Sequence, residues 1–175
     1  MENLTPKYYY TYKEFEDGIK SIKKWLDPQR DGYTKYGKDP WEPDTIVSIN
    51  RGGLVAGVYL SHLLNVPHFP IHYQTRDGRT NAGHKREGWY IPGKPQNFDY
   101  DLKILLVDDI NDSGKTFTEV INVWTNNNLG DIPLSRRIKT ASLVERKGSK
   151  FSVDFSPLML DVKDWVVFPW ESSNV

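Results

Sequence analysis

Lys103-Ile104-Leu105-Leu106-Val107-Asp108-Asp109-Ile110-Asn111-Asp112-Ser113-Gly114-Lys115-Thr116 decides how the rest of this chain is read. Ile104 to Val107 are four apolar residues with strand propensity, and they lead into the paired carboxylates of Asp108 and Asp109. A third carboxylate stands at Asp112, and Ser113-Gly114-Lys115-Thr116 then opens an amphipathic helix expected from about Lys115 to Asn127. The order is a strand, an acidic shelf of sugar size and a phosphate cradle. Free N–H groups at a helix N-terminus favour an anion, and Gly114 lets backbone approach it without a side chain intervening. A nucleoside-triphosphatase loop is excluded, because Asp109 stands where the Walker A pattern requires glycine.

Working outward, Thr45 to Ile49 predicts a strand, Arg51-Gly52-Gly53 a turn, Leu54 to Leu64 a helix and Pro67 to Tyr73 a second strand. This is a βαβ unit, which crosses over right-handed. Upstream, Thr11 and Glu14 form a capping box before Phe15, Ile19, Ile22 and Leu26 at helical spacing. Downstream, strands over Ile138 to Val144 and around Val153 to Phe155 are expected to close the sheet, followed by the apolar, aromatic stretch Asp164 to Glu171. Asp27 to Asp44, with three prolines and two glycines, reads as a loop, and Gln74 to Tyr100, with four glycines and two prolines, as a long mobile one. The expected fold is α/β, a mostly parallel central sheet flanked by helices, with ligands at the carboxyl ends of the strands. One domain spans residues 1–175: an N-terminal helix and irregular extension (1–44), a core (45–150) carrying the loop 74–100, and a C-terminal segment (151–175).

Lysine plus arginine balance aspartate plus glutamate at 23 each, so no overall charge favours nucleic acid or a membrane surface. The absence of cysteine removes disulfides, thiolate nucleophiles and cysteine-based metal sites, and fits a reducing, cytoplasmic setting. Met1 to Pro6 lacks the basic and apolar regions of a signal peptide, and no membrane span is expected. His62, His68 and His72 lack convergent spacing and read as packing or solvent residues instead of metal ligands.

The stretch ILLVDDINDSGKT resembles the 5-phosphoribosyl 1-pyrophosphate (PRPP) signature of type I phosphoribosyltransferases. Ile46 to Gly57, around Arg51-Gly52-Gly53, is similar to the pyrophosphate loop of that family, in which the peptide before the arginine is often cis; here that bond is Asn50–Arg51. Asp164-Trp165-Val166-Val167-Phe168-Pro169-Trp170-Glu171 looks like the base-binding hood of bacterial and archaeal 6-oxopurine (xanthine, guanine, hypoxanthine) phosphoribosyltransferases. The resemblance covers roughly Thr45 to Glu171. It implies transfer of a phosphoribosyl group from PRPP to a purine base, with Mg2+ as cofactor and a homodimer or homotetramer as the assembly. Two alternatives stand beside that reading: a PRPP-binding regulator without turnover, and a transferase for another base.

Carried onto this sequence, the resemblance implies that Asp112, Ser113, Gly114, Lys115 and Thr116 hold the 5-phosphate, and Asp108 and Asp109 meet the ribose hydroxyls and the metal. Arg51, Gly52 and Gly53 would hold pyrophosphate, and Asp112 would act as general base. Trp165 would stack on the base and the Val166 carbonyl would meet it, whereas Phe168 and Trp170 read as packing residues. The family's lysine for the 6-oxo group is replaced: the alignment puts Arg146 at that base-binding position, with Lys147 as a close competitor for it. Each motif has a plainer reading, as a solvated acidic turn, an ordinary Arg-Gly-Gly turn, a packed tryptophan or a charge cluster at a strand end.

Overall fold

The computed structural model describes residues 6–27, 41–72, 102–126, 134–161 and 164–171. In chain order these form β1 (Lys7–Tyr9), α1 (Tyr12–Leu26), β2 (Thr45–Asn50), α2 (Gly53–Leu64), β3 (His68–His72), β4 (Ile104–Asn111), α3 (Lys115–Asn126), α4 (Leu134–Arg137), β5 (Ile138–Arg146), β6 (Leu158–Leu160) and β7 (Trp165–Val167). The loop expected over residues 74–100 lies outside the described residues.

Five strands pair in the order β3-β2-β4-β5-β6, every pair parallel. Side chains alternate across them, as the pleat requires. Ile46, Leu105, Val107 and Leu143 join one buried cluster with Phe15, Ile19 and Ile22 of α1 and Ala56 and Leu60 of α2. Val47, Ile49, Ile104 and Leu106 join a second with Phe117, Val120 and Trp124 of α3. The sheet is therefore covered on both faces, which is why β4 reads as an unbroken apolar run. Among the described residues no helix is long and apolar enough to cross a membrane.

Two boundaries differ from the sequence expectation. β4 does not stop at Val107 but continues through the carboxylates to Asn111, and β5 continues to Arg146, because the two ladders extend each other: Asp108 pairs with Ser142, Ile110 with Val144 and Asn111 with Glu145. Backbone pairing is indifferent to the polarity that marks a turn in the sequence. Around Val153 to Phe155 there is one bridge, Phe155 to Ala141, and the continuous strand is β6 instead. The Asp154 carboxylate takes the Thr140 N–H at 2.8 Å, and Pro157, which has no N–H to give, separates the bridge from the ladder.

α1 starts as expected, with Thr11 as N-cap and its capping box closed by Glu14. The residues before it are tied to the far end of the chain. β1 pairs in parallel with β7, Lys7 opposite Trp165, Tyr8 opposite Val166 and Tyr9 opposite Val167. The Tyr8 hydroxyl donates to the Glu14 carboxylate, and that bond, with burial and the carboxylate's charge adding to it, pushes the hydroxyl up to about 12. Tyr10 is buried, with its ring 5.2 Å from that of Phe168 and its hydroxyl donating to the Glu14 carbonyl at 3.0 Å. Phe168 in turn stacks on Trp170. Replacing Tyr10 with alanine should therefore cost about 3 kcal/mol of stability, read as a lower urea midpoint at unchanged slope. A loss below about 1 kcal/mol would show that Tyr10 does not hold this end of the molecule.

Candidate functional site

Parallel pairing sends the carboxyl ends of β2, β4 and β5 to one side of the sheet, and each runs straight into a loop there. The loops, with β7 across from them, enclose a cleft of about 810 Å3 lined by Arg51, Gly52, Asp108, Asp109, Asp112 to Thr116, Arg146, Trp165 and Val166. Two residues expected in the site are not among those that line the cleft. Gly53 is the first residue of α2 and is buried, and Lys147 turns out to Asp161, 2.5 Å away at the surface. Of the two candidates at the end of β5, Arg146 is the one in the cleft.

The β2–α2 turn carries a cis peptide bond between Asn50 and Arg51. The turn lies directly on the acidic pair: a Cβ on Gly52 would come within 1.8 Å of Asp109 Oδ2, and one on Gly53 within 2.7 Å of the Val107 carbonyl oxygen. Only glycine permits that approach, so the arginine loop and the end of β4 form one surface. The carboxylates are held from behind by backbone: Asp108 Oδ1 accepts the Asp109 N–H at 2.9 Å, and Asp109 Oδ1 accepts the Ile110 N–H at 2.8 Å. No group of three or more His, Asp or Glu side chains among the described residues forms a metal cage. Mg2+ suits a different arrangement, one or two carboxylates with water and substrate phosphate completing the shell. The backbone-anchored pair Asp108 and Asp109 beside an anion-binding turn fits that donor set.

The β4–α3 loop turns at Gly114, whose φ of 81° lies in the left-handed region. From there α3 begins, Thr118 N–H bonding to the Gly114 carbonyl at 3.0 Å. The N–H groups of the loop and first turn, with the hydroxyls of Ser113 and Thr116, border the cleft as a cradle for an anion. Opposite, Arg146 spans from this loop to the C-terminal segment: its Nε donates to Asp112 Oδ1 at 3.2 Å, and its Nη2 to the Asp164 carbonyl. The guanidinium is mostly buried, and Asp112 is half exposed. Trp165 keeps 46 % of its surface exposed at the cleft, whereas Phe168 is buried.

Sequence reasoning gave no side-chain role to Asn50, Asn111, Asp164 or Glu171, all of which line the cleft. Asn50 Oδ1 is buried without a hydrogen-bond partner among the described residues. Position next to the Arg-Gly-Gly turn was the available signal for Asn50; the others become visible only once strand register is known. His68 and Ser48 make a close pair, Nε2 to Oγ 2.7 Å, but burial pushes the imidazole down, and Ser48 has no exposed surface. They form a structural hydrogen bond under Gly57. His62 is exposed.

Residues 11–173 match the model of the phosphoribosyl transferase domain family. Among solved structures the chain is similar to a purine phosphoribosyltransferase from Pyrococcus horikoshii, 27% identical over 97% of this chain and 96% of that one, with a TM-score of 0.65. It shares its fold with a Helicobacter pylori xanthine-guanine-hypoxanthine phosphoribosyltransferase, 23% identical over 96% and 94% of the two chains, TM-score 0.63. The fold is also that of a hypothetical Neisseria gonorrhoeae protein with bound ppGpp, 19% identical over 99% and 93%, TM-score 0.67. Among curated proteins none matches the chain.

Proposed function

Because this chain belongs to the phosphoribosyl transferase domain family, we propose that it transfers the 5-phosphoribosyl group of PRPP to a 6-oxopurine, giving a nucleoside 5′-monophosphate and pyrophosphate in purine salvage. One observation carries the reading: a single cleft is bordered by the Asp112–Thr116 loop, the Asp108–Asp109 pair, the Arg51–Gly52 turn and the exposed face of Trp165. These four features match the four parts of the reactants in order, 5-phosphate, ribose, pyrophosphate and flat base. The likeness to the Pyrococcus purine enzyme supports a purine as the acceptor.

In this mechanism the bond from ribose C1 to the pyrophosphate oxygen breaks ahead of formation of the bond from C1 to the purine nitrogen. Positive charge grows on the sugar and negative charge on the leaving group. Loop N–H groups and the Ser113 and Thr116 hydroxyls fix the 5-phosphate, Asp108 and Asp109 bind the ribose hydroxyls and favour the cationic sugar, and Arg51 with Gly52 holds pyrophosphate. Asp112 takes the proton that the purine ring releases. Asp108 and Asp109 are also the residues that would hold Mg2+, which supplies neutralisation of the pyrophosphate charge. Trp165 offers its π-face to the base, a contact worth about 1 to 3 kcal/mol. Arg146 offers only N–H donors to the cleft, which suits an oxo group and disfavours an amino group at the purine 6-position.

The test is pyrophosphate release by the full chain with PRPP and Mg2+, assayed with xanthine, guanine, hypoxanthine, adenine and uracil in turn. Release with one or more of the three 6-oxopurines is expected. Release with adenine or uracil alone would reassign the base, and PRPP binding with no release for any base would make the chain a regulator on the same fold. The assembly, proposed as a homodimer or homotetramer, is read by sedimentation of the same preparation.

A further inference from the structure

We infer that Asn111 and Glu145 are positioning residues that set the shape of the 5-phosphate loop from beneath, an assignment that rests on the phosphoribosyl-transfer reading. They face each other in register at the ends of β4 and β5, and both are buried. Asn111 Nδ2 donates to Glu145 Oε1 at 3.1 Å and to the Phe151 carbonyl at 2.6 Å. Asn111 Oδ1 accepts the Ser149 hydroxyl at 3.1 Å. The amide thus uses both of its protons and its oxygen. Glu145 Oε1 also accepts the Val153 N–H at 3.2 Å. Two strand-end side chains therefore gather the segment from Ser149 to Val153 into one place.

That segment is the floor of the loop. Lys150 N–H donates to the Ser113 carbonyl at 3.1 Å. Gly114 rests on it so closely that a Cβ there would stand 2.4 Å from Phe151 N and 2.8 Å from Ser149 Oγ. The Phe151 ring stacks on Phe117 in the first turn of α3, 5.4 Å between centroids, which fixes the floor to the helix the loop begins. A shift of Ser149 to Phe151 would move Ser113 and Gly114 with it. Burying an amide and a carboxylate on adjacent strands is unfavourable unless each is bonded, and an apolar pair would fill such positions with less penalty. What the polar pair adds is direction: hydrogen bonds fix the floor segment in position and angle, which apolar contact does not. Glu145 also immediately precedes Arg146, so one strand end orients both the phosphate loop and the arginine across the cleft.

The experiment compares the unaltered chain with Asn111→Leu, Glu145→Gln and the double variant Asn111→Leu/Glu145→Leu. Ribose 5-phosphate binding is measured by calorimetry with no base present, and stability by urea unfolding. Asn111→Leu should bind ribose 5-phosphate at least about tenfold more weakly, since small misplacements remote from a reacting centre carry effects of up to about 100-fold. Glu145→Gln keeps an oxygen for Asn111 and Val153 and should stay close to the unaltered chain. The double variant also removes the buried carboxylate that Asn111→Leu deprives of its amide, leaving only the Val153 N–H without its acceptor, so it should regain part of the stability lost in Asn111→Leu while its binding stays weak. If Asn111→Leu fails to fold, the double variant and Glu145→Gln carry the comparison. Unaltered affinity in the double variant, or affinity that simply follows stability across the set, would overturn the assignment. Absence of ribose 5-phosphate binding by the unaltered chain would overturn the transfer reading, and this inference with it.

Discussion

Asp112→Asn is expected to lower kcat by about 100- to 10,000-fold, the usual contribution of a positioned proton acceptor, with PRPP affinity nearly unchanged. Asparagine has the same shape and keeps an oxygen that can accept from Arg146 Nε, which stands 3.2 Å from Asp112 Oδ1. The span from the phosphate loop through Arg146 to the Asp164 carbonyl would survive. What disappears is an oxygen able to take a proton. The backbone N–H groups proposed to meet the 5-phosphate are untouched, so PRPP titration by calorimetry should give a dissociation constant close to that of the unaltered chain. A fall in PRPP affinity as large as the fall in kcat would show that Asp112 holds the loop and does not act as the base. An unchanged kcat would remove it from the mechanism altogether.

Gly114→Ala should damage stability and PRPP binding together. The residue has φ of 81°, where an L side chain costs about 1 to 2 kcal/mol. The added methyl would also meet Phe151 N at 2.4 Å and Phe151 Cβ at 2.8 Å, in a segment anchored by Asn111 and Glu145 and by the Phe117 ring. Backbone there has no free direction in which to yield, and such crowding costs about 1 to 3 kcal/mol more. A combined loss of about 2 to 5 kcal/mol is expected in urea unfolding, with a PRPP KM raised at least about tenfold because the cradle can no longer close. Stability within about 0.5 kcal/mol of the unaltered chain would mean that the loop has another conformation open to it.

Much of this site is legible in the amino-acid sequence alone. Thr11 and Glu14 mark the start of α1, and the two turns after β2 and β4 are signalled by an apolar run meeting Arg-Gly-Gly or Asp-Ser-Gly. Local chemistry is enough there, since a cap, a left-handed glycine and a buried strand each leave a mark within a few residues. What escapes depends on pairing between distant segments. Asp108 to Asn111 have the composition of a turn, and only the ladder to β5 makes them strand. Lys7-Tyr8-Tyr9 has no periodicity to report, and its partner lies at the other end of the chain. Arg146 and Lys147 are adjacent cations that the resemblance ranks only narrowly, Arg146 first; alternation along β5 and the acceptors at Asp112 and Asp161 separate them.

The parallel pairing of β1 with β7 has a consequence for how the protein is made. Synthesis proceeds at roughly 5 to 20 residues per second, so the first strand leaves the ribosome well before Trp165 to Val167 exist to pair with it. Four strands of the five-stranded sheet are complete in the chain at Arg146, before the segment that carries Trp165 has been made. During that interval Lys7 to Tyr9 is an unpaired edge rich in tyrosine, the kind of segment that recruits strands from other chains. The segment that carries Trp165 is thus the last part of the cleft to be made, and the aromatic N-terminal segment waits unpaired until then.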